Sequence, residues 1–89
     1  MEQKVDIELK GLRRKIDQID LKLLRLLEKR WETAKKIGKL KRKKGVRYYD
    51  KKREDEIIKR VTSKTHLDKK FIKKLFSNVM EYCRNGERK

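Results

Sequence analysis

Residues 12–30, LRRKIDQIDLKLLRLLEKR, place leucine or isoleucine at alternating steps of four and three positions, at 12, 16, 19, 23 and 26. This spacing predicts an amphipathic helix that turns one apolar stripe inward. Continued along the chain, the stripe reaches positions 30, 34, 37 and 41, where Arg30 and Lys41 put two cations in phase with core positions. Because burying an unpaired cation costs several kcal/mol, we expect an anion-binding groove along the inner face of this helix.

Composition and size bound the class of protein. The 89 residues predict a single domain, 1–89, with little core to spare. Charged residues make up 49% of the chain, hydrophobic residues only 35%, and the formal net charge is +16, which is typical of a disordered basic chain or a nucleic-acid-binding protein. The periodic apolar residues disfavour disorder. Since a basic chain also attracts small dianions, charge alone does not decide between a polymer and a metabolite as ligand.

Cysteine usage and hydropathy bear on the compartment. The single cysteine, Cys83, excludes an internal disulfide and a CxxC metal site, which indicates a reducing environment. Residues 1–10 are charged and lack the apolar run of a signal peptide, and no stretch of the sequence is long and apolar enough to span a membrane. We therefore expect a soluble, cytoplasmic protein with no metal and no membrane partner.

The first helix is too long for a compact subunit. Its pattern runs from about Asp6 to Lys43 and contains only Gly11 and Gly38 as weak points, which a long helix tolerates. A helix of about 38 residues is roughly 57 Å long, whereas a compact domain of this size has a diameter near ~30 Å. The helix must therefore project and be covered, and a second copy of the chain is the economical partner. Geometry thus predicts a homodimer.

A loop at residues 44–49 is predicted to follow, with Gly45 as the stop of the first helix. Asp50 is a good N-cap for a second helix over residues 51–63. The inward face of this second helix is predicted to comprise Ile57, Ile58 and Val61.

A third helix is predicted to begin after its N-cap Asp68 and to end at Asn85-Gly86, a stop signal. Its apolar side is predicted to comprise Phe71, Ile72, Leu75, Phe76, Val79, Met80 and Cys83. Strand-like alternation is absent from the sequence. The predicted fold class is all-α, with three helices per chain and one very long N-terminal helix.

Four stretches together resemble the all-helical (AroQ-type) chorismate mutase family. Residues 12–30 are similar to the first helix of that family, and residues 37–41, IGKLK, to its lysine-bearing segment. Residues 50–54, DKKRE, resemble its D-x-x-R-E motif, and residues 66–68, HLD, followed by Phe76 resemble the start of its last helix. The resemblance covers nearly the whole chain, with the motifs in the family's order and spacing.

The resemblance implies an intertwined all-α homodimer of three-helix subunits, in agreement with the over-long first helix. It also implies the Claisen rearrangement of chorismate to prephenate, on the route to phenylalanine and tyrosine, without a cofactor, metal or covalent intermediate. Such a unimolecular reaction leaves the protein to fix the reactive conformer and to stabilise the charge that separates as the C–O bond breaks. Bidentate arginines suit planar carboxylates, and a lysine suits developing negative charge.

Residue roles follow from the resemblance, motif by motif. Arg30 and an Arg13 that reaches in from the other subunit would clamp the two substrate carboxylates. Lys41 would contact a carboxylate and the ether oxygen, and Glu54 would hold the ring hydroxyl. Two neighbours of Glu54, Asp50 and Arg53, would shape that side of the pocket.

Cys83 and Glu87 stand at the last two positions of the implied site. The family commonly has a hydroxyl side chain where Cys83 stands, and glutamine or glutamate where Glu87 stands. Since a glutamate donates a hydrogen bond to the ether oxygen only when it is protonated, activity through Glu87 is expected to rise toward acidic pH. The implied catalytic residues are therefore Arg30, Lys41 and Glu87, and Cys83 is implied to bind substrate.

Two other hypotheses stay open from sequence. A basic helical nucleic-acid-binding protein would bind DNA or RNA with a steep salt dependence, but it leaves Arg30 in the core stripe unexplained and is therefore the less favoured. A non-catalytic module of the same fold is the third hypothesis, for which Cys83 and Glu87 leave room. The cations that nucleic-acid binding would use are Lys35, Lys36, Lys39, Lys41, Arg42, Lys43 and Lys44.

Overall fold

The structure, a computed structural model, describes the backbone of residues 3–87 and the side chains of residues 3–86. It consists of three helices, α1 (Gln3–Lys44), α2 (Lys51–Ser63) and α3 (Lys69–Glu87). The described residues form no strand, which confirms the all-α prediction. The bounds of α2 are those predicted, whereas α1 begins three residues earlier than expected and ends one residue later. No helix in this described part of the chain is long and apolar enough to cross a membrane.

By its internal contacts the chain divides into two units, residues 1–30 and residues 31–89. The first unit contains a single helical segment, the N-terminal part of α1. Within the single chain its apolar stripe, predicted to turn inward and to be covered by a second copy, is 52–62% exposed at Leu12, Ile16, Ile19, Leu23 and Leu26. The physical reason is that one helix has no second element in its unit against which to bury an apolar face.

The end of α1 lies in the second unit and forms a Schellman motif. Gly45 has a φ of 67°, and its N–H donates to the carbonyl of Arg42 at 3.3 Å. The N–H of Val46 donates to the carbonyl of Lys41 at 3.0 Å. Because this motif needs a left-handed residue just beyond the helix, glycine is the favoured residue there. The predicted stop at Gly45 is confirmed.

Both shorter helices begin at the predicted caps. The side chain of Asp50 accepts a hydrogen bond from the N–H of Arg53 at 3.0 Å. The side chain of Asp68 accepts one from the N–H of Phe71 at 2.9 Å. Each carboxylate thereby satisfies a donor that the first turn of its helix cannot pair.

The core of the second unit lies where α2 packs against α3. Ile57 of α2 is buried, as predicted, and Ile58 and Val61 are half-buried. The prediction for α3 is wrong at Phe71 and Leu75, which are 55% and 39% exposed. The apolar stripe of α3 is wider than the face that α2 covers, so its outer edge stays in solvent. The other five residues predicted for this side of α3 are buried or half-buried, namely Ile72, Phe76, Val79, Met80 and Cys83.

The predicted stop at Asn85-Gly86 is wrong, because α3 continues through Gly86 to Glu87. Gly86 is buried, and a Cβ atom built on it would lie 2.6 Å from Nε1 of Trp31. The indole is itself fixed on α1, where the ammonium of Lys35 lies 4.5 Å from its ring centroid. Glycine is therefore present at position 86 to let the α3 backbone approach this ring, and not to end the helix.

We expect Gly86→Ala to lower the free energy of unfolding by about 1–3 kcal/mol, because the new methyl group overpacks against the Trp31 ring. Chemical denaturation followed by circular dichroism measures the change. Gly11→Ala is the matched control: its Cβ meets nothing within 4 Å, so the helix propensity of alanine should make that variant equally or more stable. A Gly86→Ala variant as stable as the unsubstituted chain would contradict the role of the close contact.

Candidate functional site

Lys41 is held against the loop that follows its own helix. It lies on the last turns of α1 and is half-buried. Its Nζ atom donates a hydrogen bond to the backbone carbonyl of Tyr48 at 2.7 Å. Because Tyr48 lies two residues before the N-cap Asp50, this bond ties the ammonium to the loop just before the second helix.

Glu54 lies one turn into α2 and faces α3. Its Oε2 atom is 3.7 Å from Nε of Arg84, and the two side chains are only 23% and 22% exposed. The guanidinium of Arg84 also lies over the ring of Tyr49, with Cζ 4.5 Å from the ring centroid. One arginine of α3 therefore contacts both the loop and the carboxylate implied to hold the ring hydroxyl.

Asp50 and Arg53, implied neighbours of Glu54, are occupied in local contacts. Asp50 is exposed, and its carboxylate caps α2. The side chain of Arg53 is 54% exposed, and its Nη1 atom lies 3.9 Å from Oε2 of Glu56 one turn on. The structure thus brings Asp50 to the loop beside Glu54, while Arg53 extends along the solvent face of its own helix.

The C-terminal part of α3 carries Cys83 and Glu87, the last two positions of the implied site. Cys83 is a free thiol and is 5% exposed, so it belongs to the core between the helices. Glu87 is the last residue of α3, and its side chain lies outside the described residues. The predicted acid dependence through Glu87 stays a prediction.

Arg13 and Arg30 belong to the first unit. Arg13 is exposed on α1, and Arg30 is half-buried at the end of the unit. Both lie on the same uninterrupted helix as Lys41. Their implied role as a carboxylate clamp stays a prediction.

An open groove of about 1130 Å³ lies between α2 and α3, but it is a poor candidate for the site. Of the seven predicted site residues whose side chains the structure describes, only Glu54 lines it. Lys51, another lining residue, donates to Oδ2 of Asp55 at 2.9 Å, and this hydrogen bond raises the pKa of Lys51 above its ordinary value. Both side chains of that pair are at least 67% exposed, so this part of the groove is solvated charged surface. We place the candidate site at Lys41, the loop and Glu54 instead.

A metal-ligand set is absent from the described residues, which contain no group of three or more His, Cys, Asp or Glu side chains placed to hold an ion.

Arg84 is the residue that sequence reasoning missed. It occupies no position of the motifs that carried the resemblance, and its partners Tyr49 and Glu54 lie about thirty positions earlier in the chain. The spacing of nearby residues in the sequence does not predict a contact between positions so far apart. The only available signal was its place directly after Cys83 on the apolar side of α3.

Comparison with known proteins identifies relatives of the chain. Residues 12–88 match the family model described as chorismate mutase type II. A chorismate mutase of Methanocaldococcus jannaschii is 31% identical over 78 residues, which are 84% of this chain and 79% of that protein. The solved structure of a chorismate mutase (form II) from Thermus thermophilus superimposes with a TM-score of 0.87 at 29% identity, covering 92% of this chain and 97% of that one.

A third relative is a much longer protein. The bifunctional chorismate mutase/prephenate dehydratase of Aquifex aeolicus is 44% identical over 54 residues, which are 61% of this chain. The chain spans only 15% of the length of that relative, and 23% of another long curated relative. The similarity to these long proteins therefore concerns one segment of each.

The role of Asp50 as the N-cap of α2 is tested by the stability of the fold, separately from its implied role in substrate binding. We expect Asp50→Ala to lower the free energy of unfolding by about 1 kcal/mol, and Asp50→Asn to cost far less, because asparagine caps as well as aspartate does. Urea denaturation measures both, with Asp68→Ala as the matched loss of the α3 cap. Equal losses for Asp50→Ala and Asp50→Asn would show that the charge of Asp50, and not its capping bond, stabilises the fold.

Proposed function

The chain belongs to the chorismate mutase type II family, and from that premise we propose that it is itself a chorismate mutase, converting chorismate to prephenate on the route to phenylalanine and tyrosine. The observation that carries the proposal is that the family match, residues 12–88, includes all eight predicted site residues. The geometry at Lys41 and Glu54 supports it, since a cation and a carboxylate flank one ordered loop.

The proposed reaction requires the protein to position the substrate and to stabilise the charge that develops in it. One C–O bond of the substrate breaks while a C–C bond forms between two of its own carbon atoms, so nothing is transferred to or from the protein. No cofactor or metal is needed for such a rearrangement. The protein lowers the barrier by holding the reactive conformer and by placing donors where negative charge develops.

Lys41 is the proposed donor to the ether oxygen. Negative charge grows on that oxygen as the C–O bond lengthens, and a fixed ammonium stabilises it without reorganisation. The hydrogen bond from Nζ to Tyr48 supports this role, because it holds the ammonium in place before substrate arrives. Glu87, in its protonated form, is the proposed second donor to the same oxygen.

The remaining contacts bind and orient the substrate. Arg30, with Arg13 of the partner subunit, would clamp the two carboxylates in bidentate fashion. Glu54 would accept a hydrogen bond from the ring hydroxyl. Asp50 and Arg53 would shape that side of the pocket, and Cys83 is a further proposed contact to substrate.

A homodimer is part of the proposal. The stripe on residues 12–26 leaves five large aliphatic side chains more than half exposed along one helix, and a second copy of the same helix is the self-complementary cover for such a face. Residues 1–89 would then act as one functional domain within an intertwined pair. A cytoplasmic location is also proposed, supported by the free thiol of Cys83.

Activity and the role of Lys41 are tested together. The unsubstituted chain is expected to consume chorismate, followed by its absorbance, and to form prephenate. Lys41→Gln should lower kcat by about 10²–10³-fold, as removal of one preorganised donor does, and Arg30→Ala should abolish most of kcat/KM. Lys39→Gln, an exposed lysine of the same helix, is the matched control and should change neither constant appreciably.

Either of two results would contradict this. A folded chain that leaves chorismate unchanged across about pH 5–8 would favour the nucleic-acid-binding or the non-catalytic hypothesis. Salt-dependent binding of DNA would then support the first of these, and its absence the second. An active chain in which Lys41→Gln and Lys39→Gln behave alike would remove Lys41 from the mechanism.

Subunit mixing tests the shared site. Arg13→Ala and Arg30→Ala should each be nearly inactive as pure proteins. If Arg13 completes the partner's site, unfolding and refolding an equal mixture should restore roughly a quarter of normal activity, because half the dimers are mixed and one of their two sites is intact. Sedimentation of the unsubstituted chain as a monomer, or no recovery on mixing, would contradict the shared site.

A further inference from the structure

The ion pair between Arg84 and Glu54 differs by its burial from the ion pairs within α2. Its side chains are 22% and 23% exposed, whereas those of Lys51–Asp55 and Arg53–Glu56 are more than half exposed. Water screens exposed pairs, which are consequently worth little. A pair sheltered in the seam between α2 and α3 keeps more of its electrostatic effect.

Arg84 is also pinned on its second face. Its guanidinium lies 4.5 Å from the centroid of the Tyr49 ring, at the distance of a cation–π contact. A planar guanidinium can stack on a ring with one face and direct its N–H edge at a carboxylate. The side chain is thus fixed by contacts to α2 and to the loop, while its own helix carries Cys83 in the core.

The distance in the pair matters for Glu54. At 3.7 Å, the separation of Nε and Oε2 exceeds that of a hydrogen bond. The contact therefore supplies charge compensation without occupying a lone pair of Oε2. A carboxylate in this state can still accept a hydrogen bond from a hydroxyl group of a ligand.

A carboxylate in the site creates an electrostatic problem if the ligand is a dianion. The proposed substrate carries two carboxylates, and Glu54 would bring a third negative charge near them. A cation fixed beside Glu54 offsets this repulsion and leaves the carboxylate oriented for the ring hydroxyl.

We propose that Arg84 is a positioning residue for Glu54: it orients that carboxylate from the side of α3 and cancels the repulsion between the carboxylate and a dianionic substrate. The inference rests on the proposed function. Arg84 acts through Glu54 and does not itself touch the reacting atoms, so its removal weakens substrate binding more than it slows the chemical step.

The test is a double-mutant cycle on steady-state kinetics with chorismate. Arg84→Met keeps the apolar stem and the helix propensity and should raise KM about tenfold while kcat changes less than about threefold, as loss of uniform binding does. In a Glu54→Gln background the same substitution should change KM less than about twofold, because no carboxylate is left to compensate. Arg84→Lys, which keeps the charge, should restore most of the affinity.

A matched control removes the same charge elsewhere. Arg60→Met on the exposed face of α2 lowers the net charge equally and should leave KM unchanged. An equal KM increase from Arg84→Met with and without Glu54→Gln would overturn the proposal, since Arg84 would then act on substrate directly or through the fold alone. The absence of a KM change from Arg84→Met in the chain that retains Glu54 would overturn the proposal as well.

Failure of the proposed function has a different signature. A folded, unsubstituted chain that does not convert chorismate would overturn the mutase proposal and this one with it. An active unsubstituted chain with an unaffected Arg84→Met variant would overturn this proposal alone. Should Arg84→Met lose its helical circular dichroism, Arg84→Lys and Arg84→Gln in both Glu54 backgrounds complete the same comparison.

Discussion

The connection between α1 and α2 governs the geometry of the candidate site, because hydrogen bonds fix both of its ends. At one end Gly45 closes the last turn of α1 in a left-handed conformation, and at the other Asp50 caps α2. Lys41 then ties the middle of the loop back to α1 through the carbonyl of Tyr48. With six residues between the helices, little conformational freedom remains in the loop, so the ammonium of Lys41 is held against it in one arrangement.

Features set by neighbouring residues in the chain could be predicted from the sequence. The stop at Gly45, the caps at Asp50 and Asp68, and both bounds of α2 agree with the structure. Each depends on a backbone group within a few positions of the residue that satisfies it, so the local pattern contains the whole cause. The burial of Ile57 follows from the same short-range periodicity.

Features that depend on distant partners could not be predicted in this way. Gly86 resembles a helix stop in the sequence because the indole that it meets lies 55 positions away, at Trp31. The local sequence does not identify the partners of Arg84, because Tyr49 and Glu54 are distant in the chain and lie near it only in the packed structure. The stripe of α1 is apolar as predicted, but a single chain supplies nothing to cover it. The periodicity of apolar residues identifies the apolar face of a helix but does not identify the element that packs against it.

The contact of Gly86 with the Trp31 ring also restricts how this sequence can change over time. A Cβ atom built at position 86 would lie 2.6 Å from the indole, so a side chain there is overpacked, but it would fit beside a smaller residue at position 31. A substitution at position 86 therefore costs stability while the tryptophan is present, and costs less once the tryptophan has been replaced. The effect of a substitution near the end of α3 thus depends on whether position 31 of α1 has already changed, which makes the pair a case of historical contingency between two helices.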